Sequence, residues 1–480
     1  MDIITVLLDF ATSILAAQDV FFEHPEQLAG FERAMTDAGN RAVTRCMGIT
    51  LSNLNGLIRD SSERKNRFDI QRQVQRTIIT TVGDVTFEQT VFRDRETGKY
   101  RCLTEEILRL PMHERFSPLA EAKVLSEAEE HSYRHAAESV SYKGQTVSKT
   151  AVMEKVHKIT EDLPEPTAEK KKRERVLYIE ADEDHIHRQK DDREGCILGK
   201  LIYLFEGKKK VCEGRSALIN PHYHGGLYEG TEGNQRLWEE VRDYIEEHYD
   251  TDYLEKVYIA SDGGAWIKAG KEYIPGSVLI ADKFHLTKYI NKASNLMLDG
   301  ADDVKGMFYR HIHKNRKEEL KTLLKRIGET SGREDVAEEV WAYFKNNWGA
   351  IQRTFHDPDA EGCSAEGHVS HVYSDRMSSR PMGWSETGSD RMCRLRCYVR
   401  NHGREKIIDL VEYRRNRQFE KETAEATGTD GIRISVTKKR TKAQMDIAKY
   451  AERIQASIGG TANGTSVKKI LAIRERLNEI

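Results

Sequence analysis

Several things are scarce in this sequence, and each scarcity closes off a class of protein. Seven cysteines stand at positions 46, 102, 196, 212, 363, 393 and 397, and no two form a Cys-x-x-Cys pair. An odd, scattered set excludes a disulfide framework and reads as reduced thiols in a cytosol. Cys393 and Cys397 lie four apart in a helical pattern, where core packing is the ordinary reading and a metal pair the alternative. There is no internal repeat, no long low-complexity tract and no Walker-type lysine loop, which argues against an NTPase. Charge of one sign is lacking too: 76 Lys and Arg against 78 Asp and Glu leave a net charge of −2. Nucleic-acid affinity must then come from local basic patches. Long apolar runs are nearly absent. The opening MDIITVLLDFATSILAA carries Asp2 and Asp9, lacks the positive start of a secretory leader and is too interrupted to span a membrane. It reads as an amphipathic packing or dimerisation helix.

What is present suits a cytoplasmic, globular protein with no membrane partner. Of its 480 residues, 38% are hydrophobic and 32% charged, and such a length predicts about two to four domains. Residues 1 to about 75 read as helical. From Arg76, RTIITTVGDVTFEQTVFRDRETGKYRCL reads as paired β-strands with turns at Gly83-Asp84 and Glu96-Thr97-Gly98. Residues 132–159 read as helix, break, helix, with Ser148 as N-cap and Val152, Val156 and Ile159 on one face. A helix-turn-helix of this kind would offer Lys149 and Thr150 to a DNA groove; any helical hairpin gives the same pattern. The region 1–160 is thus a DNA-binding candidate, and the proline-bearing, basic stretch 161–175 is a linker. Strands are expected at 176–183, 196–206, 209–219, 256–261 and 277–281, with helices near 233–249 and 284–296. Residues 300–360 are helical, and Trp341, Phe344, Trp348 and Ile351 form a core stripe. The basic tail at 401–480, with Arg391, Arg394, Arg396, Arg400 and Arg404 leading into it, favours phosphate contact.

The stretch VLYIEADEDHIHRQ (176–189) begins like a buried strand and ends in acids and histidines. On a strand, Tyr178, Glu180, Asp182 and Asp184 share one face, and Leu177, Ile179 and Ala181 the other. That is how a sheet presents metal ligands, and also how an ordinary exposed strand end looks. In KVYIASDGGAWIK (256–268), Asp262 stands just past an apolar run and before a Gly-Gly turn, a usual ligand position in α/β sheets and a usual turn residue. A third acid, Glu366, lies in CSAEGHVSHVYSDRMSSRP at the start of a helix, where the helix dipole alone would favour it. Three converging carboxylates offer hard oxygen ligands to two Mg²⁺ or Mn²⁺ ions. Arg376 and Arg380 would stand near such a site and could hold DNA phosphates. His185-x-His187 and His222-x-His224 could together make a zinc site instead, and hence a zinc hydrolase.

VLYIEAD (176–182), VYIASDGGAWIK (257–268), DKFHLTKYI (282–290) and EGHVSHVYSDRMSSRPMGWSETGSDRMCRLR (366–396) together resemble bacterial insertion-sequence transposases of the ISLre type, relatives of the Mutator-type transposases. The resemblance spans nearly the whole chain. It implies an RNase H-like catalytic domain, 176–299 and 361–400, interrupted by an all-helical insertion at 300–360. It implies a DDE triad, matched by Asp182, Asp262 and Glu366, with Glu361, Asp375 and Glu386 as rivals for the last position and Asp184 for the first. It implies cleavage and strand transfer of DNA at the element's terminal repeats and target, by a homo-oligomer assembled on DNA. Where relatives carry Cys-x-x-His, this sequence has Asp282-Lys283-Phe284-His285, so only His285 is expected to help position DNA. The alternative is a non-catalytic DNA-binding protein derived from a transposase.

Overall fold

The computed structural model describes residues 3–425, apart from 142–145, 161–162, 167, 169, 190–194, 214 and 380–381. The chain divides into two units.

The first unit comprises residues 1–127, 133–152 and those from Ile408 on. Two long helices, Ile3–Glu23 and Leu28–Asp60, pack side by side, and the second lies on a hairpin of β1 (Phe68–Thr80) and β2 (Gly83–Asp94). A two-residue strand, β3 (Tyr100–Arg101), pairs with β2. Phe68 and Phe92 meet Ile58 and Leu103 in the core beneath. Both turns fall where the glycines predict, and Asp94 Oδ1 closes the second by accepting from the Glu96 amide at 2.9 Å. Strand β1 begins eight residues before Arg76, at Phe68. After the buried Phe68, residues 69–73 are all exposed, so no alternation betrays the strand. The helix Ile3–Glu23 is also more continuous than expected: by length and composition it could cross a membrane, and little of it is buried. Asp9, the interruption, is paired with Arg45 of the neighbouring helix at 2.6 Å.

The helix-turn-helix expectation needs correction. Tyr133–Glu138 and Lys149–His157 are helices, and Ser148 caps the second by accepting from the Ala151 amide at 3.1 Å. Residues 139–148 between them exceed the three or four that such a turn allows. Lys149 and Thr150 are exposed on the first turn.

The second unit comprises residues 128–132 and 153–407. Strands β4 (Val176–His187), β5 (Cys196–Phe205), β8 (His222–Gly226), β9 (Lys256–Ser261) and β10 (Ser277–Ala281) make a mixed sheet in the order β10-β9-β4-β5-β8. β4, β5 and β8 run antiparallel in succession, while β9 and β10 run parallel to β4. The expected single strand at 209–219 is instead a separate ribbon of β6 (Gly207–Cys212) and β7 (Arg215–Ile219), and HYHGG, unassigned from sequence, supplies the fifth sheet strand. The lysine-rich ribbon has no buried face to hold it in the main sheet.

One face of the sheet, through Leu177, Ile179, Ile202 and Leu204, buries against Leu237, Trp238, Val241 and Ile245 of the amphipathic helix Gly230–His248. The other is covered by the helical segment 365–377 and the helix Glu386–His402. Packing there is tight enough that a Cβ on Gly225 would collide with the Tyr373 hydroxyl. Cys393 and Cys397 are buried on this side as core residues. Helices Ala301–His313, Lys317–Ser331 and Glu334–His356 build their own core around Phe308, Leu324, Phe344 and Ile351, with Trp341 and Trp348 packed on it. The last of them lies along β10, where Arg353 donates to the Leu279 carbonyl at 2.7 Å and Thr354 Oγ1 accepts from the Ala281 amide at 2.8 Å.

Three of the arginines expected to bind phosphate, Arg394, Arg396 and Arg415, are internal, while Arg400 and Arg404 are exposed. Arg394 and Arg396 are buried, the first paired with Asp390 and the second with Glu129 at 2.7 Å. In the first unit, Arg414 and Arg415 both hold the buried Glu121. Counting charge along the chain could not see acids returning from residues 121–130. The lysine-rich run from Lys438 lies outside the described residues.

Candidate metal centre

The ladder register brings three acids into one row. β4 and β9 pair through Glu180 and Ala260, so two residues further Asp182 stands opposite Asp262. β9 and β10 pair through Ser261 and Ala281, so the next residues are Asp262 and Asp282. Neighbouring strands lie about 4.8 Å apart. The local sequence fixes each carboxylate. Gly263 follows Asp262 with φ +111°, which favours glycine, and Asp262 Oδ1 accepts from the Gly264 amide at 2.7 Å. Asp282 caps the helix Lys283–Ser294 by accepting from Phe284 at 2.8 Å. Asp182 accepts from the Glu183 amide at 2.8 Å.

The electrostatics are those of acids held together without a strong cation. Burial pushes the Asp182 carboxyl up to about 6; the Glu183 amide opposes this, and Asp262 adds to the rise. Burial raises Asp282 as well, with Glu180 and Asp262 adding to it. Among the described residues, no Lys or Arg forms an ion pair with Asp182 or Asp262. His285 stands beside the row, with its Nε2 3.9 Å from Asp282, and its imidazolium form would lower both Asp182 and Asp282.

Along β4 the acids divide by their partners. Glu180 is buried and accepts from the Ser364 amide at 2.7 Å, with Tyr203 and Lys208 also on it. Asp184 accepts from Ser374 and Ser378 hydroxyls at 3.1 and 3.2 Å. Asp182 lies between them on the same face. The segment from Ser364 to Ser378 therefore crosses above it, and its first helix, Ala365–Val369, packs on β4. Glu366 lies in that helix with its side chain exposed and no partner among the described residues. Neither its carboxylate nor that of Asp282 joins those of Asp182 and Asp262 in a set lying within 4.8 Å of one another. Its rivals are occupied: Asp375 by His371 at 3.2 Å, Glu386 by Arg188 at 2.7 Å, and Glu361 by the Lys208 amide at 3.4 Å. A π-helical turn, Ser370–Ser374, interrupts the segment just beyond Glu366; such bulges recur at functional sites.

Residues 28–414 match the uncharacterised protein family UPF0236. The chain belongs to that family. A UPF0236 protein of Caldanaerobacter subterraneus subsp. tengcongensis is 35% identical over 356 residues, 74% of this chain and 73% of the relative. A second from the same organism is 33% identical over 356 residues, with the same coverage of both. The name of the first joins eleven locus designations, and that of the second four.

Two further expectations for this UPF0236 chain are corrected. Arg376 is 3% exposed; it donates to the Ala128 carbonyl at 3.2 Å and stacks over Trp384, so it is not free to hold a phosphate. Arg380 lies outside the described residues. The histidine pairs do not converge. His185 is paired with Leu198, while His224 is paired with Ile202, four residues further along β5 and on its far side. His185 and His187 are exposed, whereas His222 and His224 turn inward. Asp282 is the residue that sequence reading missed. The available signal was its position, directly after a short apolar strand, like that of Asp262.

Proposed function

We propose that this chain is a DNA transposase whose carboxylates support metal-dependent strand cleavage and strand transfer of an insertion sequence. The observation that carries the reading is the placing of Asp182 and Asp262 side by side where the parallel pairing of β4 and β9 ends, with no Lys or Arg partner among the described residues. The strand order, with three antiparallel strands followed by two parallel to the first, is the one an RNase H-like domain requires, and the helical insertion falls between Asp262 and Glu366. A name that joins eleven locus designations in one bacterium fits a gene that copies itself within a genome.

The donor set suits Mg²⁺ or Mn²⁺. Hard carboxylate oxygens are what these ions take, and an acid pair raised by burial gains from a cation. Asp182 and Asp262 would hold two ions, with Glu366 completing the triad from the helix above. Bound there, such ions supply Lewis acidity toward a phosphodiester and its attacking oxygen. The protein's own part is to keep both aspartates ionised and fixed. The Glu183 and Gly264 amides orient them, and the Ser364 and Ser374 contacts hold the Glu366 segment over Asp182. His285 stands on the same rim, where its imidazole N–H could meet an entering DNA phosphate. Pairing of two element ends calls for a homo-oligomer on DNA, in a bacterial cytoplasm.

The test is cleavage of DNA carrying the element's terminal repeats, with Mg²⁺ or Mn²⁺, by wild type and by Asp182→Ala, Asp262→Ala and Glu366→Ala. Metal-dependent nicking at the ends, lost in all three with DNA binding retained, supports the reading. Binding without cleavage under either metal overturns it in favour of a non-catalytic DNA-binding descendant.

A further inference from the structure

The first unit contains a cavity of about 790 Å³ between the hairpin, the loop after the helix Leu103–Ile107 and the helix Ile407–Glu425. Arginines dominate its polar lining, at 72, 76, 101, 109, 115 and 415. The acids there are committed: Glu105 to Arg76 and to the Gln89 amide at 2.9 Å, Glu106 to Arg101, and Glu114 to the Phe116 amide at 3.0 Å. Arg72 has no ion pair among the described residues, and Arg109 meets the neutral Asn416 at 2.6 Å. Two exposed guanidinium groups are therefore left without a carboxylate at the cavity wall.

Two deeper atoms also lack partners. Gln89 is 6% exposed and Arg415 3% exposed, and both line the cavity. Gln89 Oε1, an acceptor, and Arg415 Nη1, a donor, make no hydrogen bond among the described residues. Buried polar atoms left so are costly unless something meets them. The loop itself is strained: Arg109 (φ 48°) and His113 (φ 64°) are two of five non-glycine residues at positive φ among those described. Such strain gathers at ligand-holding loops. Tyr100, 65% exposed, and Phe419 add aromatic surface.

We infer that this cavity seats one nucleotide unit of DNA. Arg72 and Arg109 take the phosphate, Gln89 and Arg415 offer hydrogen bonds to the base, and Tyr100 gives the base a face to stack on. The choice of DNA as the source rests on the transposase reading; the phosphate-and-base chemistry rests on the cavity alone.

The full-length protein is tested in EDTA, so that cleavage plays no part. The probes are a 20-nucleotide single strand, its duplex, dAMP and inorganic phosphate. Arg72→Glu with Arg109→Glu should weaken oligonucleotide binding about tenfold or more and lower the salt slope by about one to two. Tyr100→Ala should weaken binding with the slope unchanged. All these side chains are exposed, and an unchanged melting temperature confirms that the fold persists. Unchanged affinity and slope in the arginine variant overturn the inference. So does phosphate competing as well as dAMP, which would mark a bare anion site. Binding of dAMP stronger than of either oligonucleotide overturns DNA as its source. Loss of end cleavage in the metal assay with this binding intact would remove the transposase reading and leave the cavity standing.

Discussion

Two clusters of titratable groups occupy opposite sides of one sheet, and they differ in what surrounds them. On β4, β9 and β10, Asp182, Asp262 and Asp282 stand in a row. At β8, His222 and His224 meet His248 and His402. His222 stacks on Tyr244 at 3.8 Å, Tyr244 stacks on His248 at 4.0 Å, and the Asn401 amide donates to His222 Nε2 at 3.2 Å. His402 Nε2 lies 3.3 Å from Glu165. The imidazoles are packed chiefly against rings and one another, and burial pushes His224 down to about 4. The acids are oriented by backbone amides, and His285 is the ring beside them, 3.9 Å from Asp282. Gathering ligand-type side chains is thus insufficient for a site; what distinguishes the acid row is that, among the described residues, Asp182 and Asp262 have no Lys or Arg partner.

The largest expected contrast is in cleavage. Asp182→Ala and Asp262→Ala should each lower end cleavage by ~10³-fold or more, whereas His222→Gln and His224→Gln should leave it within about threefold of wild type. Loss of cleavage in a folded histidine variant would reverse the assignment. Next is Arg396→Ala, which removes one of the two arginines on the buried Glu129, leaving Arg404 at 3.0 Å, and the donor to the His371 carbonyl. Denaturant unfolding should show a loss of ~1–3 kcal/mol; an unchanged midpoint would contradict the internal role given to this arginine.

The two clusters should also respond to pH with opposite signs. His224 titrates near 4 in the fold and near 6.5 unfolded, so stability should fall as pH drops through that interval. The full effect is on the order of 3 kcal/mol, and His224→Gln should flatten the acid limb of a melting-temperature profile. Asp182 is raised to about 6 against about 3.9 unfolded, so its contribution to stability falls as pH rises from 4 to 6 and stays low above. Asp182→Asn should therefore stabilise the metal-free protein by roughly 1 kcal/mol at pH 8 and hardly at all at pH 4. Equal gains at both pH values would mean that charge is not the cause.

The legible parts of this molecule were the local ones. Asp262 could be placed because an apolar run, an acid and two glycines are contiguous, and Asp182 because strand alternation assigns its face. The helical stripe at Trp341–Ile351 was visible for the same reason. Asp282 was hidden because its membership of the row depends on the register of β10 against β9, which no stretch of sequence states. Arg376, Arg394 and Arg396 misled because their partners come from residues 128, 390 and 129, and exposure cannot be read from composition. HYHGG was passed over because two histidines and two glycines do not look like a strand until Asn401 and β5 hold it on either side.

The hydrogen bonds from Arg353 and Thr354 to β10 have a further consequence. β10 is the last strand of the sheet, and its outer backbone groups would otherwise face water as a template for another chain. The helix Glu334–His356 occupies that margin and covers an edge that could otherwise pair with another chain. Excising residues 301–356 would bare a sticky strand, and such a truncated protein should assemble edge to edge.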